Sequence, residues 1–177
     1  MDIKRLADDV AVLLGESLSR ECQPEESPFP DLEEKVRITA AGELAELLLA
    51  APAEELTDTI ELTGEAVKNE DEKSVTIPLP EDFLRLASIK MTDLPRPLTE
   101  VIYAGTTKSS RLGSEWPGVR GIAAEMIVRS GRRYLKIYGS AGEIEYGSYV
   151  SRPLLKDDTL EIPEGFYHKL LKRIAFG

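Results

Sequence analysis

The chain begins with apolar positions at helical spacing. Ile3, Leu6, Ala7, Val10, Leu13 and Leu14 recur at threes and fours with Lys4, Arg5, Asp8 and Asp9 between them, the pattern of an amphipathic helix with one buried stripe. Its end is expected near Gly15. A stretch rich in Pro, Glu and Ser follows, ECQPEESPFPD, and Asp31 with Glu34 three residues on has the form of a capping box. A second helix is predicted from there, burying Val36, Ala40, Leu44, Leu47 and Leu48. Pro52 should close it, since proline supplies no amide hydrogen and disfavours helical geometry in the residue before it.

From Thr57 the period changes to that of strands. TDTIELTGEAV and SVTIPLP are β-branched and partly alternating, and the charged run KNEDEK between them predicts a hairpin with a polar tip. AAEMIVRSG, RRYLKIYGS and EIEYGSYVSRPLL form a second β-rich region, with RSGRR and SAGE as its turns. In YLKIYG, Tyr134, Lys136 and Tyr138 fall on one face and Leu135 and Ile137 on the other, as in a half-buried strand. The last segment, IPEGFYHKLLKRIAFG, predicts a terminal helix with Pro163 in its first turn and an apolar stripe of Phe166, Tyr167, Leu170, Leu171 and Ile174. Lys169, Lys172 and Arg173 lie toward its negative dipole end.

Helix, helix, many strands, helix is not the alternation of a parallel α/β fold. The predicted class is α+β: a small helical layer made by the N- and C-terminal helices, packed beside an antiparallel sheet or partial barrel. Residues 1–56 form the helical segment, 57–162 the β-rich region with a long loop at 105–121, and 163–177 the last helix, all in one compact domain.

The stretch Ile77–Ile102, IPLPEDFLRLASIKMTDLPRPLTEVI, holds four prolines yet is too apolar for a loop. It reads as a strand that enters a tight turn at PED and continues, or as a helical turn begun by Pro80, Glu81 and Asp82. Under both readings Phe83, Leu84 and Leu86 are anchors in the core. LPRP is expected to be extended and to carry the chain across a surface, with Pro95 and Pro97 guarding against edge pairing.

Composition narrows the chemistry. With 177 residues, 42% hydrophobic and 31% charged, the chain can bury a core of its own. Acids interrupt the apolar positions of the first segment and no apolar run approaches ~20 residues, so a soluble protein made inside the cell, without a membrane partner, is expected. The single Cys22 and single His168 leave no internal disulfide and no Cys/His zinc cluster. His168, between Tyr167 and Lys169 in a predicted helix, reads as a surface or boundary residue rather than the base of a nucleophile. No phosphate-binding glycine loop occurs, and the acids of EDEK and KDD lack the spacing of a calcium loop. The prediction is a protein that is not an enzyme, with no catalytic, metal or cofactor site.

Charge changes the picture further. Residues 1–82 hold 22 acids against 7 Lys and Arg, a net −15, whereas 83–177 hold 10 against 15, a net +5. Solvated faces explain this, or opposite ends meeting in neighbouring copies. Arg129, Arg132, Arg133 and Lys136 interleaved with Tyr134 and Tyr138 suggest a nucleic-acid surface. The acidic whole, with pI ≈ 4.8, repels phosphate and favours a solvent-facing hairpin with cross-strand tyrosines instead.

Taken together, Leu79–Leu86, Met91–Leu98, the loop around Trp116–Gly121, Ala124–Val128 with Leu135–Tyr138, and Tyr149–Pro153 resemble a group of tail-phage structural proteins of Bacteroides-type phages and prophages. The resemblance runs from about Val75 to Ile174, and Leu94 stands where that group usually carries an aromatic. It implies a head-tail connector: an adaptor or ring protein below the portal, with copies of itself, the portal and neighbouring tail proteins as partners. It also implies a virion location reached by assembly in the bacterial host cytoplasm, and a passive DNA-channel lining rather than sequence-specific nucleic-acid binding. In such a protein the long loop would be a contact arm, with Trp116 as its aromatic anchor and Arg111 and Arg120 beside it. The alternative from another class is a bacterial ligand- or protein-binding module with a β-rich binding surface.

Overall fold

The computed structural model describes residues 1–15, 32–56, 58–106 and 121–177, and the architecture is α+β. The chain divides into two compact units, one of residues 1–58 with 152–177 and the other of residues 59–151.

The first unit contains the helices. Helix α1 (Ile3–Leu13) is capped by Asp2, whose carboxylate accepts the Lys4 amide at 2.7 Å, and it ends before Gly15, which takes the left-handed conformation at φ 75. Helix α2 (Leu32–Ala50) buries Leu32, Val36, Ala40, Leu44 and Leu48, a strict four-residue spacing that leaves Leu47 half-buried. The predicted cap at Asp31 lies outside the described residues. Helix α3 (Tyr167–Phe176) buries Leu170, Leu171 and Ile174. It starts four residues later than Pro163 suggested because Gly165, at φ 84, breaks the helical path. The three helices pack on one another. Two short strands, β9 (Leu155–Lys156) and β10 (Thr159–Leu160), make a hairpin that the sequence reading did not include. Asp2 extends it by an antiparallel bridge to Thr159.

The second unit holds strands β1 (Ile60–Glu61), β2 (Val67–Asn69), β3 (Ser74–Pro78), β4 (Phe83–Met91), β5 (Val101–Tyr103), β6 (Ala123–Arg129), β7 (Arg132–Tyr138) and β8 (Ile144–Ser151). They form two open sheets, ordered β1-β8-β4 and β2-β3-β7-β6-β5. The β2–β3 and β6–β7 hairpins fall where the polar tip and the RSGRR turn predicted them. The β5–β6 pair is parallel, so the second sheet is mixed. TDTIELTGEAV is divided between the sheets, since β1 pairs with β8 and β2 with β3.

The chain passes from one sheet to the other at four places, and the shortest of these connections, residues 79–82, is the corner between β3 and β4. Both sheets contribute to one core, which includes Val75, Ile77, Phe83, Leu86, Ile89, Met91, Leu94, Leu135, Ile137 and Tyr149. A register shift follows Phe83, and such a bulge lets consecutive residues turn inward; Phe83 and Leu84 are both buried. The PED segment is therefore a turn into a strand, not the start of a helix. LPRP is exposed over residues 95–97, as a surface segment would be, but it bends instead of running extended. The chain bends back after Met91, Leu94 is buried, and Leu98 and Ile89 exchange two backbone bonds of 2.8 Å.

Phe83→Ala removes a ring that is 2% exposed and stacked on Tyr149 at 5.6 Å. The expected loss is about 3–5 kcal/mol, read from the urea midpoint at unchanged slope; a loss below about 1 kcal/mol would place the ring outside the core.

Candidate functional site

Residues 79–86 and 91–98, two of the segments singled out in the sequence, lie in β4 and its two flanking turns, and four side chains hold them: Arg133, Tyr149, Lys90 and Asp93. Arg133 sits at the end of β7, where its carbonyl accepts the Leu79 amide at 3.0 Å. Its guanidinium donates to the carbonyls of Phe83 at 2.9 Å, Glu81 at 2.7 Å and Pro80 at 3.4 Å, and lies 6.0 Å from the Phe83 ring centroid. A turn that leaves one sheet for another strands its carbonyls, and a forked cation satisfies several at once. The same corner is tied to β8 by Tyr149, whose hydroxyl donates to Asp82 at 3.1 Å. Burial first, then that carboxylate, pushes the Tyr149 hydroxyl above its usual pKa.

The other end of β4 is held by Lys90 and Asp93. The Lys90 ammonium donates to the carbonyls of Met91 at 3.0 Å and Leu94 at 2.7 Å and to Glu145 at 3.2 Å, which gathers the bend that returns Leu98 to Ile89. The Asp93 carboxylate accepts the Ser140 hydroxyl at 2.5 Å and the amides of Ala141 at 2.9 Å and Gly142 at 3.0 Å. Only glycine fits at 142, because a Cβ there would lie 2.5 Å from Asp93 Oδ1. The Ser140 hydroxyl, followed by the two amides, outweighs slight burial and holds the Asp93 carboxyl below the usual range.

The outward face of the five-stranded sheet carries a cleft of about 280 Å³ lined by Val67, Asn69, Glu72, Ser74, Thr76, Arg129, Tyr134 and Lys136. Lys136 is paired with Glu72 at 2.6 Å, which holds that carboxyl below its usual range, and lies 4.8 Å from the Tyr138 ring. Tyr138 in turn donates to the buried Glu125 at 2.7 Å, and burial with that bond raises its pKa. The six residues read as a basic and aromatic surface are thus divided. Arg133 serves backbone carbonyls at the sheet's end, Lys136 and Tyr138 serve carboxylates, and Arg129 and Arg132 are exposed at the hairpin tip.

Of the residues predicted to matter, Phe83 and Leu86 lie in the core and Leu84 is buried beside them. Arg111, Trp116 and Arg120 lie outside the described residues, as do Cys22 and most of the loop at 105–121. His168 is exposed on α3, edge-on to Tyr167. Among the described residues no three His, Cys, Asp or Glu side chains gather as metal ligands, and no helix is long and apolar enough to cross a membrane.

The acidic and basic ends of the chain meet within one copy. Arg173 pairs with Glu43 and Glu46, Lys169 with Glu55, and Arg37 with Glu33, Glu34 and Asp158. Counting paired and unpaired groups alike, the first unit holds 19 acids against 10 bases, a net −9, and the second 13 against 12, a net −1. A comparison with protein-family models finds no match, and none of the curated proteins searched matches the chain.

Two outcomes follow from the braces. Arg133→Met keeps the stem but takes the side-chain donor from the Phe83 and Glu81 carbonyls, while Pro80 keeps the Phe83 amide at 3.2 Å, and should cost about 1–3 kcal/mol; Arg133→Lys should recover only part, because an ammonium cannot fork. Urea unfolding of the three proteins checks both. Asp93 has a folded pKa below the unfolded value of about 3.9, so its contribution is complete above that value and is lost as pH falls through the folded pKa. Asp93→Asn should flatten the decline in stability between about pH 5 and about pH 2, measured as the urea midpoint against pH.

Proposed function

We propose that the chain is a non-enzymatic structural protein of a phage head-tail connector, an adaptor that joins copies of itself in a ring below the portal. The observation that carries this reading is the use to which the resemblance-bearing segments are put. In Leu79–Leu86 and Met91–Leu98 the polar partners are spent on backbone: Arg133 on three carbonyls, Lys90 on two, Asp93 on two amides. Turns stapled at both ends of a nine-residue strand hold their shape without a ligand, and an assembly subunit needs rigid docking elements more than a reactive centre. The implied location is the head-tail junction of the virion, reached by assembly in the host cytoplasm, with the portal and neighbouring tail proteins as further partners.

A second reading is a ligand- or protein-binding module of the bacterium. The cleft on the five-stranded sheet favours it, though about 280 Å³ is at the small end for a ligand pocket. Co-sedimentation with the assembled portal that the connector reading expects to be encoded beside this chain separates the two. The connector reading expects the chain in the portal fraction as a stoichiometric ring and absent from the fraction of unassembled portal subunits. A chain that ignores the portal and forms a salt-insensitive two-fold dimer would overturn it in favour of the binding module.

A further inference from the structure

Two features of opposite charge stand outside the braces. One is the cleft on the five-stranded sheet. The Lys136 side chain in its wall is only 12% exposed, while the carboxylate that pairs with it, Glu72, is 54% exposed. Glu72 belongs to the β2–β3 turn, where its amide donates to the Asn69 side chain at 3.3 Å and the next residue, Lys73, takes a left-handed φ of 47. A largely shielded cation is therefore matched by a surface carboxylate, which water and other anions reach easily. Arg129 adds a guanidinium, and Ser74, Thr76 and Tyr134 add hydroxyls. These groups are suited to a carboxylate, and Glu72 occupies the position one would take.

The other feature is the tip of the β9–β10 hairpin. Lys156 pairs with Thr159, so the loop between them is the two residues Asp157 and Asp158, with φ 48 and 55. That is a turn of the type in which Asn-Gly relieves the strain, yet both places are held by acids. Asp158 has internal work: its carboxylate lies 3.1 Å from Arg37 and its carbonyl accepts the Ile3 amide at 2.9 Å. Asp157 is exposed, and its carbonyl accepts the Thr159 hydroxyl at 3.5 Å. The same left-handed backbone occurs at Lys73 and Ser130 in other hairpin turns; what sets Asp157 apart is an exposed carboxylate next to one, Asp158, that is already engaged. The tip also belongs to the unit of net −9, and the cleft to the unit of net −1.

We propose that Asp157 of one copy docks in the cleft of a second copy, where its carboxylate replaces Glu72 as the partner of Lys136 and reaches Arg129. The contact rests on the reading of the chain as an assembly subunit and names the surface through which copies join. It is heterologous, because each copy offers one tip and one cleft, so copies add in series. Glu72 makes the free cleft self-satisfied, which keeps single copies apart until concentration or a template favours exchange. The contact itself sets a carboxylate on cations and weakens with salt, while whole copies, each net −10, repel one another and need concentration or a template to bring them together.

Complementary variants test the contact by sedimentation velocity at low salt. Asp157→Asn keeps a residue that tolerates left-handed backbone and removes only the charge; Arg129→Gln with Lys136→Gln empties the cleft of cations. Each variant alone should associate at least about tenfold more weakly than the parent, at unchanged melting temperature. Their equimolar mixture should form dimers and nothing larger, because one tip and one cleft remain productive. Glu72→Gln, which removes the resident carboxylate, should tighten association. If the parent associates and the variants do so equally well, the cleft contact is wrong and the connector reading stands. If parent and Glu72→Gln both stay monomeric across the concentration range, the contact is wrong, and the connector reading is then decided by portal co-sedimentation alone.

Discussion

The second unit depends on how the chain turns from one sheet into the other. Between Pro78 and Phe83 the backbone leaves the ladder with β7 and joins the ladder with β8, so the carbonyls in between have no strand opposite them. A buried carbonyl without a donor costs about 1–3 kcal/mol; here that cost falls on Phe83, since the Pro80 carbonyl also accepts the Phe83 amide and Glu81 is exposed. Arg133 meets all three from one guanidinium while standing beside the ring of Phe83. Because the corner is satisfied, Phe83 can anchor the core shared by both sheets, and β4 can run on beside β8 to Met91, with further register shifts at Leu86/Ser88 and Lys90/Met91.

The same logic holds at the far end of β4, with the signs varied. Lys90 collects carbonyls and Asp93 collects amides, and Gly142 permits the close approach. One strand is therefore gripped at both ends by charges that face backbone. A charge used in this way is removed from recognition. That distinguishes Arg133 and Lys90 from Arg129, whose guanidinium is exposed at the edge of a cleft, although all three look alike in a count of basic residues.

Electrostatics between the ends of the chain shows a comparable division. Basic groups of α3 are matched by acids of α2 and the segment after it, so part of the contrast along the sequence is consumed inside one copy. What remains is better described by unit than by half: an acidic helical unit and a nearly neutral sheet unit. The interactions left for a partner are local ones, such as a carboxylate at a hairpin tip and an ammonium paired with an exposed side chain.

Periodicity determined the elements whose pattern is self-consistent. The stripe of α1, the alternation of Tyr134 to Tyr138 and the polar hairpin tip at 69–73 are properties of neighbours in the chain, and so is the α+β class. The four-residue stripe of α2 was legible for the same reason, apart from Leu47, whose half-burial depends on what packs against it. Tertiary structure decided the remainder. Which sheet TDTIELTGEAV would join depended on partners some 90 residues away, as Ile60 on Tyr149 shows. LPRP looked extended because proline restricts its own torsions, but the bend is set by Lys90 and the burial of Leu94. Arg133 read as a basic residue in a strand, since its role is defined by carbonyls 50 to 53 residues distant. Local physics follows from residue type and spacing; the work of a charge follows from what it faces, and only the folded chain brings those groups within reach.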